Sequence, residues 1–277
     1  MINIKETIEK YYEQLIQTEG ERKKILKVYF EFLDLLDSGE IRIAEKAGNC
    51  WIINKWVKKG ILLGFKLGKI KPIENGVFKF YDKETLPLKD LEDCENIRLV
   101  PGGSSIRKGS YIGKNVIIMP PSYINIGAYI DGGTMIDSQV LVGSCAYIGK
   151  NCHISAGTII GGVLEPIGSY PVIIEDNVFI GGNCGVYEGT LIKKGAILGA
   201  GTTITASTRV YDTVNDRIIE PDDKGRMVIP EMAVVVPGSR SLGKTVSGTN
   251  ISLYTPVIIK YRNPADNRIK LEDLLRD

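Results

Sequence analysis

The chain has 277 residues, of which 43% are hydrophobic and 25% charged, and its formal net charge is +2. This composition fits a folded chain of one large domain or two modest ones, and the near balance of charge excludes a broad nucleic-acid-binding surface. Because no apolar run approaches the length of a membrane span and the chain begins with a charged amphipathic stretch, we expect a cytoplasmic protein without a membrane segment.

Histidine and cysteine usage narrows the possible chemistry further. His153 is the only histidine, which excludes any site that needs two or more imidazoles, and we predict no metal site. The five cysteines form no C-x-x-C pair, and their odd number indicates reduced thiols. We expect Cys145, Cys152 and Cys184 to be buried fillers of the core.

Residues 1–97 carry no long repeat, and we predict a mainly helical N-terminal domain followed by a linker. Apolar residues at helical spacing predict one helix from Ile4 to Leu15 and a second from Ile25 to Leu36, which ends near Gly39. The stretch from Trp51 to Ile61 indicates a third element. Residues 71–97 are polar and irregular, and we expect a linker with short strands there.

A six-residue repeat dominates residues 98–240. Neither an α-helix nor an alternating strand has a period of six, whereas three hexads make an 18-residue coil with three flat sides. The repeat therefore predicts a mainly β chain that forms a hexapeptide parallel β-helix, with insertions at about 164–172 and 211–228. The aliphatic residues assigned to its bore are Val100, Ile106, Ile112, Ile118, Ile124, Ile130, Ile136, Val142, Ile148, Ile154, Ile160, Ile174, Ile180, Val186, Ile192, Leu198, Ile204, Val210, Ile229 and Val235.

Residues 241–277 form a small C-terminal extension in this interpretation. The β-branched and aromatic residues from Asn250 to Arg262 predict a strand, and the run from Leu271 predicts a short final helix. The segment from Pro237 to Asn250 is rich in glycine, serine and cations. It reads as a loop that either holds phosphates through backbone N–H groups and Lys244 or is simply solvated.

Three carboxylates stand out as candidates for chemistry. Asp137 directly follows a bore residue, Glu165 lies in the first insertion, and Glu188 lies in the corner segment after it. Triangular prisms pack around threefold axes, so we expect sites at subunit junctions, where a partly dry cleft suits a carboxylate to proton transfer. Each of the three could instead be a corner carboxylate bonded to backbone N–H groups. His153 comes late in its hexad, and we expect a corner or loop role for it rather than catalysis.

Several stretches resemble one enzyme family, the tetrahydrodipicolinate N-succinyltransferases, over a range from about residue 30 to the C-terminus. The matching stretches are Leu35–Lys46, Arg98–Pro101, Met119–Asp137, Val142–Asn151 and Ile160–Pro166. The most specific parts are Asn125–Asp137 and Gly161–Pro166. The resemblance implies a homotrimer of left-handed β-helices with a helical N-terminal domain and active sites between subunits. It also implies transfer of succinyl from succinyl-CoA to the amino group of L-2-amino-6-oxopimelate, in lysine and diaminopimelate biosynthesis, without a tightly bound cofactor.

The resemblance also assigns roles to single residues. Asp137 matches the family's substrate-binding and catalytic aspartate, and Arg98 matches the arginine that binds a substrate carboxylate, with Arg42 as its helper. One departure concerns the motif Cys184-Gly-Val-Tyr-Glu188-Gly, because many members have a catalytic glutamate where this chain has Gly185. Either Glu188 then takes the acid–base role, or Asp137 works with Glu165 at the substrate.

The predicted path of CoA follows the outer surface of the β-helix to the C-terminal segment. The residues assigned to it are Gly199, Gly201, Ala206, Ser207 and Lys244. Two other functions fit the same residues: a related N-acyltransferase that uses acetyl-CoA or another amine, and a β-helix scaffold without activity.

Overall fold

The computed structural model describes residues 3–14, 18–48, 50–75, 78–92, 96–244 and 247–263. Cys94 and the helix predicted from Leu271 lie outside the described residues. Three helices precede the repeat, namely α1 (Ile4–Glu13), α2 (Glu19–Asp37) and α3 (Lys55–Leu67). Asn3 and Thr18 cap α1 and α2 by accepting a backbone N–H in the first turn, and Gly39 follows α2 with a φ of +76°. None of these three helices is long and apolar enough to cross a membrane.

Two antiparallel hairpins flank α3. They consist of β1 (Ala44–Ala47) with β2 (Cys50–Ile53), and β3 (Ile70–Asn75) with β4 (Phe78–Lys83). The third predicted element is therefore two elements, because Trp51 lies in β2 whereas Trp56 lies in α3. Asn54 separates them, and its side-chain amide donates to the carbonyl of Arg42 at 2.9 Å, which ties the hairpin to the start of the helix.

The repeat forms the left-handed parallel β-helix that the sequence predicts. Residues 18 apart pair along each face, as Met135 does with His153, and the second residue of each short strand points into the bore. The first face contains β5 (Arg98–Leu99), β8 (Ile117–Ile118), β11 (Met135–Ile136), β14 (His153–Ile154), β17 (Phe179–Ile180) and β20 (Ile197–Leu198). The second face contains β6 (Ser105–Ile106), β9 (Tyr123–Ile124), β12 (Leu141–Val142), β15 (Ile159–Ile160), β18 (Gly185–Val186) and β21 (Thr203–Ile204). The third face contains β7 (Tyr111–Ile112), β10 (Tyr129–Ile130), β13 (Tyr147–Ile148), β16 (Ile173–Ile174), β19 (Thr190–Ile192) and β24 (Met227–Ile229).

The first insertion keeps the register of the coil, but the second begins earlier than the hexads suggest. Tyr147 pairs with Ile173 across the first insertion, and the ladder then continues in steps of 18. On the third face Leu191 pairs with Val228, so Val210 is not part of that ladder. Val210 is buried as predicted, but it lies in a strand that pairs elsewhere. The hexad cannot reveal this difference, because both positions demand an apolar side chain.

The C-terminal strands extend the first face and add one hairpin. The strands β22 (Val210–Asp212), β23 (Arg217–Ile219), β25 (Ala233–Val236) and β28 (Val257–Tyr261) join the first face, whereas β26 (Ser239–Lys244) pairs with β27 (Asn250–Tyr254). The expectation of a loop between Pro237 and Asn250 is therefore wrong for most of that segment. Glycine and serine weaken strand propensity, but the pairing with β27 supplies the backbone hydrogen bonds, with a bulge between Ser241 and Gly243.

The helical N-terminal domain packs against the third face. Its core side chains Phe32, Leu33 and Ile61 share one buried cluster with Tyr129 and Tyr147, whose rings stack 4.9 Å apart on the outside of the β-helix. The bore holds a second, separate cluster. Cys145, Cys152 and Cys184 are buried, as the sequence predicts, and burial raises the pKa of each thiol.

Candidate active site

The β-helix has three edges, where the chain turns from one face to the next, and the candidate carboxylates lie at these edges. We call these the first edge (first to second face), the second edge (second to third face) and the third edge (third to first face). At the first edge Asp137, Ser155, Gly181 and Gly199 follow successive strands, and each backbone N–H of the first three donates to the coil above. At about 4.8 Å per coil, Asp137 lies roughly 14 Å from Gly199. The positions directly above Asp137 thus carry only serine and glycine.

Asp137 has one oxygen fixed and one oxygen available. Its Oδ1 accepts the backbone N–H of Ser138 at 2.7 Å, whereas its Oδ2 lies 4.0 Å from Nε2 of His153. The Asp137 side chain is 29% exposed, so a ligand can reach the second oxygen. The arrangement combines the corner bond of a structural carboxylate with a free acceptor for chemistry.

His153 does not lie in a corner or loop, so that expectation is wrong. It is the first residue of β14 and points outward between Met135 and Phe179, whose ring centroid is 5.1 Å from the imidazole. The phase of the hexad could have placed it. His153 directly precedes the bore residue Ile154, and Tyr129 and Tyr147 occupy the corresponding outward position on the third face.

Arg98 lies in the same outward row of the first face as His153. It pairs with Ile117, which in turn pairs with Met135, so Arg98 is two coils, or roughly 10 Å, from the coil that carries Asp137. Its side chain is exposed, and no acidic group of the described residues forms an ion pair with it. The structure therefore brings Arg98, Asp137 and His153 to one side of the β-helix.

Glu165 and Glu188 lie at the second edge, apart from Asp137. Both are exposed, Glu165 in the first insertion and Glu188 in the corner after β18. The corner is tied to the insertion because the Gly189 N–H donates to the carbonyl of Tyr170 at 2.9 Å. Within one chain, the predicted catalytic carboxylates thus occupy two different edges.

The structure explains why glycine occupies position 185. A Cβ added at Gly185 would lie 2.7 Å from Cε2 of Tyr187, because the tyrosine ring folds back over this position. A glutamate here would require Tyr187 to move. The glycine at position 185 and the tyrosine at position 187 therefore occur together, because the Tyr187 ring fills the space that a side chain at position 185 would need.

Buried Lys58 anchors the insertion that carries Glu165. Its Nζ donates to the carbonyl of Ser169 at 2.7 Å, and burial lowers the pKa of the ammonium group. This bond connects α3 of the N-terminal domain to the second edge. No sequence signal identified Lys58, since its neighbours Lys55 and Lys59 look alike in the printed sequence.

Arg42 belongs to the N-terminal domain, and its side chain lies against the third face. Its Nη1 donates to the hydroxyl of Tyr129 at 3.1 Å, and its guanidinium carbon is 4.7 Å from the centre of that ring. Burial raises the pKa of Tyr129 above its ordinary value, and Asp131 adds to the increase. The structure does not bring Arg42 together with Asp137 within one chain.

The third edge is also occupied by a carboxylate, Glu175, but its acceptors are filled. Its Oε1 accepts from Nζ of Lys46 at 2.9 Å and from Nε1 of Trp51 at 3.0 Å, and its Oε2 accepts the Lys194 backbone N–H at 3.0 Å. Burial raises the pKa of Glu175, but these hydrogen bonds lower it, and the net pKa lies below its ordinary value. Glu175 therefore joins hairpin β1–β2 to the β-helix.

The residues predicted to bind CoA divide between two edges and the C-terminal hairpin. Gly199 and Gly201 lie at the first edge, and Ala206 and Ser207 follow β21 at the second edge. Lys244 ends β26, and its side chain lies outside the described part of the chain.

A cleft of about 340 Å³ lies between the extension of the first face and the hairpin β26–β27. Arg209 and Arg240 line it together with Tyr211, Val257 and Thr255. The Oγ1 atom of Thr255 is buried and has no hydrogen-bond partner among the described residues. Two guanidinium groups, an apolar wall and one unused hydroxyl suit a ligand that has both a ring and phosphate groups. No sequence pattern indicates this cleft, because its lining residues come from four separate segments.

Comparison with known proteins gives consistent matches over the whole chain. The pattern described as the tetrahydrodipicolinate N-succinyltransferase N-terminal domain matches residues 3–67, and the hexapeptide repeat of succinyl-transferase matches residues 171–206. Three similar relatives are each named 2,3,4,5-tetrahydropyridine-2,6-dicarboxylate N-succinyltransferase. The protein of Idiomarina loihiensis is 43% identical over 98% of this chain and 96% of its own length. Those of Pelagibacter ubique and Wolbachia pipientis are 42% and 47% identical, over 97% and 89% of this chain and 100% and 88% of their own lengths.

Proposed function

Because this chain belongs to the 2,3,4,5-tetrahydropyridine-2,6-dicarboxylate N-succinyltransferase family and is an N-succinyltransferase, we propose that its reaction takes place at the first edge of the β-helix, around Asp137. The donor is succinyl-CoA, the acceptor is the amino group of the ring-opened substrate L-2-amino-6-oxopimelate, and the product enters lysine and diaminopimelate biosynthesis in the cytoplasm. The observation that carries this assignment is the exposed Oδ2 of Asp137 beside a strip of small residues.

Asp137 serves as the base in this proposal. The acceptor nitrogen attacks the thioester carbonyl, a C–N bond forms, and the C–S bond of the donor breaks. Oδ2 takes the proton that the nitrogen loses, and the proton then passes to the departing thiolate, so the reaction is balanced without a redox step. The bond from Ser138 to Oδ1 fixes the carboxylate, which leaves Oδ2 directed at the reacting nitrogen.

Arg98 binds a carboxylate of the acceptor. Its planar guanidinium suits bidentate binding, it is exposed on the same face as Asp137, and a seven-carbon dicarboxylate can span a separation of roughly 10 Å. The role of Arg42 stays a prediction, because its guanidinium is already bonded to Tyr129 on another face.

CoA extends upward along the first edge from Asp137. The pantetheine arm passes Gly181, Gly199 and Gly201, where no side chain blocks it, and the nucleotide end enters the cleft of Arg209 and Arg240. There the guanidinium groups pair with phosphates and Thr255 Oγ1 gains a hydrogen-bond partner. Ala206, Ser207 and Lys244 remain predicted contacts of the cofactor.

The second-edge carboxylates reach the reaction from a neighbouring chain. Glu165 and Glu188 are exposed and lie on a different edge from Asp137, so one chain alone does not assemble the set. A threefold arrangement of prisms brings an edge of one chain against the next chain, and we therefore propose a homotrimer with sites between subunits. Glu188 is the first candidate for the acid, and Glu165 is the second.

Mixed trimers test this arrangement. Asp137→Ala and Glu188→Ala chains, each inactive alone, are co-expressed with different tags and purified through both. If the two groups come from different chains, about a third of the sites in the doubly purified mixed trimers regain both residues and activity returns. Mixing Asp137→Ala with Asp137→Asn cannot restore a site and is the matched control, and Glu165→Ala replaces Glu188→Ala in a parallel series. A monomer by light scattering, or mixed trimers as inactive as the control in both series, would contradict the proposal.

The donor and acceptor are tested directly by thiol release. Succinyl-CoA with the amino acid acceptor is expected to give acceptor-dependent release, and acetyl-CoA is expected to react far more slowly. A preference for acetyl-CoA would identify a related acyltransferase instead, and no acceptor-dependent release with either donor would identify a scaffold.

A further inference from the structure

We propose that His153 is a positioning residue that orients and stabilises the carboxylate of Asp137; this inference rests on the function proposed for Asp137. Strand β14 presents the imidazole outward in the coil that follows Met135, and Asp137 lies two residues after Met135. The Nε2 atom of His153 and the Oδ2 atom of Asp137 are 4.0 Å apart. The only histidine of the chain thus faces the one free oxygen of the proposed base.

The geometry holds both partners while leaving them accessible. The Ser138 N–H fixes Oδ1, so Oδ2 is the oxygen that a second group can direct. The ring of Phe179, tilted by 35° and 5.1 Å away, supports the other side of the imidazole. The side chains of His153 and Asp137 are 38% and 29% exposed, so a substrate can reach the pair.

The chemistry of the pair follows from their charges. At 4.0 Å the two atoms are slightly too far apart for a direct hydrogen bond, and a small side-chain movement or one water molecule closes the gap. An imidazole with a proton on Nε2 donates to Oδ2 whether the ring is neutral or charged. Either state holds the carboxylate aimed at the acceptor nitrogen.

Few other groups compete for this imidazole. Among the described residues that pack around it, Met135 on β11 and Phe179 on β17 carry no charge, and Asp137 is the titratable group within ion-pair distance. Among the described residues, Asp137 is therefore the group that this imidazole can orient. Arg98 lies in the same row but three coils away, at roughly 14 Å.

Substitution of His153 in the full-length enzyme tests the proposal. We expect His153→Ala to lower kcat by about 10- to 100-fold with little change in the KM for succinyl-CoA, because the base is misdirected while donor binding is untouched. A residue with a merely structural role would not separate kcat from KM in this way. His153→Gln places an amide N–H near the Nε2 position and should therefore recover part of the kcat.

Controls separate this inference from the proposed function. Tyr81→Ala removes a 73% exposed ring from hairpin β3–β4 and should leave kcat unchanged. Asp137→Asn tests the base itself: if it stays active, the proposed function fails. If Asp137→Asn is inactive but His153→Ala and His153→Gln keep the wild-type kcat, only the positioning role fails. Should His153→Ala not fold, His153→Phe decides, because it keeps a ring against Phe179 but has no donor, and a wild-type kcat in that variant overturns the inference.

Discussion

The first and third edges of the β-helix carry carboxylates at the same place in the hexad but use them differently. Asp137 and Glu175 each directly follow a bore isoleucine. At the third edge both oxygens of Glu175 are hydrogen-bonded and the N-terminal hairpin covers them, whereas at the first edge Oδ2 of Asp137 is open. A structural corner carboxylate therefore differs from one available for proton transfer in the number of its acceptor positions that are filled, and not in residue type.

We expect the largest loss of activity from a substitution at the first edge. Asp137→Asn keeps an acceptor for the Ser138 N–H but cannot take a proton, so we expect kcat to fall by about 10²- to 10⁴-fold with an unchanged melting temperature. Steady-state kinetics and thermal unfolding of the same preparation measure both quantities. An active Asp137→Asn enzyme would show that the open oxygen has no catalytic use.

Glu175→Gln should have the opposite profile. An amide cannot satisfy three donors, so we expect a loss of about 1.5–3 kcal/mol in the free energy of unfolding while kcat is retained. Because the folded pKa of Glu175 lies below its ordinary value of 4.5, its stabilisation is present above that pH and disappears as the pH falls through the folded pKa. The difference in stability between wild type and Glu175→Gln, measured by denaturant titration, should therefore shrink in acid. A difference that is constant or grows in acid would contradict this assignment.

The small residues of the first edge can be tested by filling the strip. A Cβ at Gly199 would lie 3.2 Å from Cγ1 of Val236, so a larger side chain is accommodated only by extending outward. We expect Gly199→Leu to raise the KM for succinyl-CoA about tenfold, since the pantetheine arm loses its path. Gly20→Leu adds the same side chain at the exposed start of α2, where a Cβ meets nothing within 4 Å, and should leave this KM unaltered. Equal KM values for the two variants would place CoA elsewhere.

The cleft above the first edge should contribute through charge. Arg240→Gln is expected to raise the KM for succinyl-CoA by up to about tenfold and to weaken its dependence on salt, because a phosphate contact is lost. Arg217→Gln, which alters an exposed guanidinium in β23, is the matched control. Identical salt dependence in the Arg240 variant and wild type would exclude the cleft as a phosphate site.

The architecture could be predicted from the sequence because of the six-residue period. A bore that admits only aliphatic residues at every sixth position leaves a signal that local propensity cannot imitate, and it located nearly every inward side chain. It was wrong at Val100, because Leu99 is the residue that pairs with Ile118 and packs against the bore cluster. It also missed the strand pairing of Val210 and the hairpin β26–β27. Burial at Val210 and strand pairing at β26 depend on segments far along the chain, which a local pattern does not contain.

Which side chains share a site depends on the tertiary structure and cannot be seen in the sequence. The hexad phase places Asp137 and Glu175 identically, and nothing in the sequence states that Lys46 and Trp51 return to cover one of them. Likewise, the coil brings His153 beside Asp137 because residues 18 apart stack, while it separates Glu165 and Glu188 to another edge. Periodicity fixes the direction of a side chain, but its chemistry depends on contacts between segments distant in sequence, and those form only when the chain has wound into coils.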